Sequence, residues 1–214
     1  SQQSAQKKEL EAALKKRRVL RDQLASSRKK EEESLAQLAR KAQSLSDLMT
    51  SLQEKARAKP VSGAGRELTS DEGVSGTKGV LRNFASAKGR VRAPVSGRVV
   101  AGFGAPTAAG ESSKGITIAA RSAATVVAPF DAEVAYSGTF LNYGRLVILK
   151  HRGGNGDKYH TLLSGLARVD VKAGDFLLEG EPIGAMGSRN NPELYVELRE
   201  DNQPINPGPW IRGL

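Results

Sequence analysis

Glu193-Leu194-Tyr195-Val196-Glu197-Leu198-Arg199-Glu200 has the length and residue types of one β-strand, entered from Asn190-Asn191-Pro192. Residues two apart on a strand share a face, so Glu193 and Tyr195 point the same way. Upstream, similar short runs are broken by Gly, Asn and Pro: Gly97 to Gly102, Gly115 to Ala119, Ala124 to Ala128, Ala132 to Ser137, Arg145 to His151, Lys158 to Leu163 and Pro182 to Met186. No helical pattern separates them, which predicts an all-β sandwich or barrel-like sheet. Gly153-Gly154-Asn155-Gly156 predicts a hairpin turn, because Gly and Asn tolerate the positive φ it needs. Trp210, in the closing Asn206-Pro207-Gly208-Pro209-Trp210, is expected to plug the core.

The first part of the chain differs. Gln2 to Ala58 holds no Pro or Gly and is dominated by Ala, Leu, Lys, Glu, Gln and Arg, which predicts one long helix. Leu35, Leu38, Ala42, Leu45, Met49 and Leu52 recur at spacings of three and four, the seam of a coiled coil; Leu10, Leu14, Leu20 and Leu24 extend it as a partial stripe. Such a stripe needs another helix to bury it. Lys59-Pro60 ends the helix. The expected organisation is a coiled-coil helix over 1–59, a Gly- and Ser-rich connector over 60–89 with a short helix near Val80 to Ala87, and a β domain over 90–214. The chain starts within helical sequence, so a leader and further helix are expected upstream.

The chain has 214 residues, no Cys and a formal net charge of +10. The absence of Cys excludes disulfides, a thiol nucleophile and a Cys-based zinc site. Residues 1–89 hold 19 Lys and Arg against 11 Asp and Glu, whereas residues 90–214 hold 14 against 12, so the basic excess lies in the helical arm. There Arg28-Lys29-Lys30 runs into Glu31-Glu32-Glu33, a solvated mixed pattern, and no aromatic residues interleave to stack bases. Nucleic acid is not the expected partner. No run approaches the ~20 apolar residues of a transmembrane helix.

Several motifs in order carry a resemblance. Ala93-Pro94-Val95-Ser96-Gly97-Arg98-Val99, Lys114-Gly115-Ile116-Thr117-Ile118-Ala119-Ala120, the Ala128 to Gly138 hairpin, Asn142-Tyr143-Gly144, Tyr159 to Gly174 and Asn191 to Arg199 resemble, in sequence order, the motifs of the LytM or M23 family of zinc metallopeptidases. The likeness covers Ala93 to Ile211 and implies a mainly β, antiparallel sheet domain, here preceded by a long coiled-coil segment. It also places the family's His and Asp zinc ligands on Ser113 and Thr117, its third ligand on Tyr195, and its two catalytic histidines on Gly165 and Glu193. A zinc hydrolase needs about three nitrogen, sulfur or carboxylate ligands and an open water position. One carboxylate, Glu193, is left, so no metal, cofactor or catalysis is expected. His151 and His160 are expected to be ordinary surface or strand-end residues, and Asp131 to hydrogen-bond its own turn.

A degenerate LytM domain behind a coiled coil resembles the EnvC-type murein hydrolase activators. That resemblance implies a periplasmic protein of a Gram-negative cell that binds a zinc amidase during division, with the coiled coil recruited by an FtsEX-like complex and peptidoglycan as a further contact. Ser113, Lys114, Thr117, Tyr143, Leu146, Gly165, Glu193, Leu194 and Tyr195 are the expected amidase-binding groove, able to bury an apolar helix or loop, with Tyr143 and Tyr195 as anchors. Arg66 to Lys88 is expected to cover the groove until the coiled coil moves. The rival readings are a zinc endopeptidase with unusual ligands and a passive peptidoglycan-binding scaffold.

Overall fold

The computed structural model describes residues 14–30, 33, 44–58, 81–107, 110–153, 156–188 and 191–213. The chain divides into two compact units, Ser1–Gln43 and Ser44–Leu214. In the first, residues 14–30 form helix α1, on which Leu14, Val19, Leu20 and Leu24 are all exposed. The seam positions Leu35, Leu38 and Ala42 lie outside the described residues.

The second unit opens with helix α2, Leu45–Ala58. The Ser44 N–H donates to Asp47 Oδ2 at 3.1 Å, and the Asp47 N–H donates to Ser44 Oγ at 3.2 Å. This reciprocal cap satisfies backbone donors at a helix start. The single helix expected from Gln2 to Ala58 is therefore interrupted at Ser44, and a long coiled coil is not formed by the described residues. Leu45, Leu48 and Met49 are buried along one side of α2. Gln53 and Asn202 exchange two side-chain hydrogen bonds of 3.0 Å, which fasten α2 to the β-sheet part of the unit.

Among the described residues eleven strands follow: β1 Gly97–Ala101, β2 Ile116–Ala120, β3 Thr125–Val127, β4 Ala132–Thr139, β5 Arg145–Gly153, β6 Gly156–Ser164, β7 Arg168–Val169, β8 Phe176–Leu177, β9 Pro182–Ala185, β10 Glu193–Glu200 and β11 Gln203–Ile205. The larger sheet has the order β1-β2-β10-β6-β5-β4-β8 with β11 against β10; β3-β9-β7 form a smaller one. All strand pairs are antiparallel.

Alternation along the strands sorts the two faces of the large sheet. Leu194, Val196 and Leu198 of β10, with Ile116, Ile118, Val147, Leu149 and Leu163, meet Val126, Ile183 and Met186 of the smaller-sheet region in one apolar core. Tyr195, Glu197 and Arg199 occupy the opposite face of β10.

Phe84 closes this core. It sits in a 3-10 turn, Phe84–Ala87, capped by Asn83, whose side chain accepts the Ala85 N–H. Its fully buried ring stacks on His151 at 4.3 Å and on Trp210 at 5.1 Å. Beside it Arg82 forks onto Asp131, with Nη2 to Oδ1 at 2.7 Å and Nε to Oδ2 at 2.8 Å. Asp131 Oδ1 also accepts the Glu179 N–H. Asp131 thus anchors an incoming segment instead of only bracing its own turn, and the Arg82 guanidinium holds its carboxyl down at about 2.

Candidate functional site

Thr117 of β2 pairs with Tyr195 of β10, Tyr195 with Ser164 of β6, and Ser164 with Leu146 of β5. Directly paired residues share a face, so these four form one row across the large sheet on the face away from the core. A cavity of about 430 Å³ opens over three of them. It is lined by Thr107, Glu111, Ser112, Ser113, Lys114, Thr117, Asn142, Tyr143, Ser164, Gly165, Glu193 and Tyr195. The loop between β1 and β2 forms one rim, held by the Gly104 N–H to the Ser113 carbonyl and the Ser113 N–H to the Ala105 carbonyl, both at 2.8 Å.

Two glycines make room. A Cβ on Gly115 would lie 2.3 Å from the Val196 carbonyl and 2.9 Å from Tyr195 Cζ, so the bare backbone there leaves space for the phenol ring. A Cβ on Gly165 would lie 2.3 Å from the Glu193 carbonyl, and its φ of +96° suits glycine. Tyr195 and Tyr143 lie with ring centroids 6.3 Å apart.

Tyr195 Oη donates to Glu197 Oε2 at 2.7 Å, and Arg199 Nε donates to Glu197 Oε1 at 2.5 Å. Glu197 and Arg199 are 0% and 2% exposed, a buried charge pair next to Tyr195 on the same face of β10. Burial pushes the Tyr195 phenol well above its usual range, and the Glu197 carboxylate adds to the shift by opposing a second negative charge. Burial raises Tyr143 as well, again with help from Glu197. Both phenols stay protonated at neutral pH.

Ser113, Lys114, Thr117, Tyr143, Gly165, Glu193 and Tyr195 are brought together around the cavity. Leu194 and Leu146 are not part of its lining. Leu194 is fully buried in the core because it falls one residue out of phase with Tyr195; Leu146 shares the face of Tyr195 but is fully covered. Their absence, and the presence of Thr107, Ser112 and Ser164, gives a lining dominated by hydroxyl groups, unlike the apolar groove expected. Ser164 was legible as the neighbour of Gly165 on a strand; Thr107 and Glu111 depend on the path of the β1–β2 loop, which no periodicity encodes.

Other expectations change too. Of the segment expected to cover the groove, Arg66 to Val80 lies outside the described residues, and Phe84 is seated in the core on the opposite face of the sheet. His151 sits in the row of Tyr159 and Glu200 at the far end of β10, five residues along and two strands across from Tyr195. Neither histidine is at the surface: His151 and His160 are 0% and 4% exposed. His151 Nδ1 lies 2.9 Å from the Asp131 carbonyl and Nε2 lies 2.8 Å from Thr161 Oγ1. The carbonyl can only accept, so Nδ1 carries the proton and Nε2 accepts from Thr161.

The residues at the cavity do not fit a zinc ion. Ser113 Oγ donates to the Gly115 carbonyl at 3.0 Å, Tyr195 holds its proton, and Thr117 is a neutral alcohol. Glu193 is the one carboxylate among the five positions that the family resemblance aligns with zinc ligands and catalytic histidines. No step of chemistry is assigned through a metal here.

Residues 111–207 match the model of a family described as Peptidase family M23. That stretch is an M23, or LytM-type, domain. Among curated proteins it is similar to an uncharacterized protein of Neisseria meningitidis serogroup B, 31% identical over 136 residues that cover 63% of this chain and 22% of that protein. It is also distantly similar to the murein hydrolase activator EnvC of Escherichia coli K12, 33% identical over 101 residues covering 46% of this chain and 23% of EnvC. The chain thus spans less than a third of the length of the curated relatives it matches. Helicobacter pylori Csd3 is similar in structure with a TM-score of 0.49 at 22% identity, over 58% of this chain and 35% of that one. Among the described residues no helix is long and apolar enough to cross a membrane.

Proposed function

We propose that this chain is a non-catalytic activator of a peptidoglycan (N-acetylmuramoyl-L-alanine) amidase, and that the amidase docks at the cavity around Tyr143 and Tyr195. The observation that carries the reading is the cross-strand pair Thr117 and Tyr195: where the M23 frame places two zinc ligands, a neutral alcohol faces a protonated phenol. The similarity to EnvC supports an activator, and the hydroxyl-rich lining suits a polar loop or helix end better than an apolar one. Docking stabilises an open amidase by as much as the cavity prefers that state over the closed one. The reading includes action in the periplasm at division, with the helical arm as the contact for an FtsEX-like complex.

Release of dye from labelled peptidoglycan tests it. The amidase alone should release little, the chain alone none with or without added zinc, and the two together at least tenfold more than the amidase alone. Tyr195→Ala, provided that its melting transition stays cooperative, should lose that stimulation. Zinc-dependent release by the chain alone would establish an endopeptidase instead, and retention on peptidoglycan without stimulation would establish a scaffold.

A further inference from the structure

The face of the large sheet that carries the cavity also carries a line of hydrogen bonds leading away from it. Tyr195 Oη donates to Glu197, Arg199 Nε donates to the other oxygen of Glu197, and Arg199 Nη1 donates to the Asn202 carbonyl at 3.1 Å. The Asn202 amide then exchanges two 3.0 Å hydrogen bonds with Gln53 of α2. Tyr195, Glu197 and Arg199 share one face of β10, and Asn202 follows in the turn to β11. From the cavity to the helix each residue of the series is joined to the next by a hydrogen bond.

We propose that Glu197 and Arg199 couple the cavity to helix α2, so that seating of α2 fixes the Tyr195 hydroxyl and readies the cavity for its partner. This rests on the reading of the cavity as a docking site.

The sheet does not need this pair for its pairing, since the backbone ladders to β2 and β6 already hold β10 in register. A buried ion pair is a weak source of stability, yet it is costly to leave with one link broken, because a desolvated charge then lacks a partner. Each member is therefore sensitive to the next. Glu197 spends one oxygen on Tyr195 and one on Arg199, so displacement of Arg199 redistributes the hydrogen bonds at Tyr195. Asn202 is placed by backbone geometry: Asp201 and Asn202 have φ of 47° and 66° between the paired residues Glu200 and Gln203. That is the two-residue hairpin turn with positive φ at both positions, which holds its side chains in a defined direction. The amide-to-amide pair with Gln53 is the one link in the series that is not within β10 and its turn, which makes it the place where movement of the helix enters. Preorganising a binding group improves affinity by removing an ordering cost.

Hydrogen exchange on the full chain tests the coupling without any partner. Asn202→Gly keeps the positive φ and removes the amide, and should raise exchange across 45–58 by about fivefold or more, in line with typical coupling between sites. Tyr195→Phe removes one hydroxyl at the other end of the series and should raise exchange of the same α2 amides, while the β5 amides keep their wild-type rates. If Tyr195→Phe leaves α2 exchange unchanged, Tyr195 and α2 are independent and the proposal is overturned. With an amidase present, Asn202→Gly should stimulate at least fivefold less than wild type, and full stimulation would also overturn it. If the wild-type chain fails to stimulate the amidase, the docking reading falls, and the exchange result still decides the coupling.

Discussion

Gly165 shows how a single position changes meaning between sequence and structure. In the M23 frame it reads as a lost histidine; in the fold it is required, since its φ is +96° and a Cβ would stand 2.3 Å from the Glu193 carbonyl. Gly165→Ala should therefore destabilise the domain by about 1–3 kcal/mol, the usual scale of strain at such a site. The urea midpoint measures it, and a variant as stable as wild type would contradict the close contact. Tyr195 was legible as a cavity residue from the family resemblance, and two-residue periodicity put it on the face of Glu193. Its companion Glu197, two further along, follows from the same periodicity but not its role, because only the folded chain shows that the carboxylate is fully buried and bonded to the phenol. Leu194 was misplaced for the opposite reason: proximity in sequence to Tyr195 says nothing about which face a neighbour takes, and alternation sends it to the core.

At the scale of elements, the longer strands and the three-residue β3 were readable, whereas β7, β8 and β11 were not. β10 was anticipated residue for residue, and most others within two residues at either end, whereas β7, β8 and β11 have two or three residues each and carry no periodic signal. The break at Ser44 is written as Ser-x-x-Asp, but helix-favouring residues on both sides outweigh it in a propensity reading. The 3-10 turn at Phe84–Ala87 matters most for the connector. Because Phe84 is stacked between His151 and Trp210, Phe84→Ala should cost roughly 3–5 kcal/mol, measured as a lower urea midpoint. The same contact separates two deletions. Removing 60–80 leaves Arg82 and Phe84 in place and tests whether the connector restrains amidase stimulation: a rise in stimulation supports that role, and none counts against it. Removing 60–86 also withdraws the ring and the Arg82 fork on Asp131, so it should lower the melting temperature whatever the connector does.

For the whole molecule, pH reports on how this region is held together. His151 is neutral in the fold, with a pKa lowered to about 4 chiefly by burial, against an ordinary value of 6.5. The unfolded chain takes up that proton first as pH falls, so the stability tied to neutral His151 is present above 6.5 and drains away between 6.5 and 4. At 1.36 kcal/mol per pKa unit the loss is on the order of 3 kcal/mol. Asp131 acts lower: its carboxyl is depressed from 3.8 to about 2 by Arg82, so its contribution is present above 3.8 and is lost between 3.8 and 2. The windows do not overlap, which allows the two groups to be separated by urea melts at pH 7, 5 and 4. Wild type should lose most of the His151 contribution across that series. His151→Gln, less stable at pH 7, should show a flatter dependence over the same range, because a neutral amide takes up no proton. An equal slope in both proteins would place the acid sensitivity elsewhere. Protonation would also strip Thr161 Oγ1 of its acceptor at Nε2 and put a charge under the Phe84 ring, so the residues 81–91 should gain hydrogen exchange before the β10–β6 ladder does.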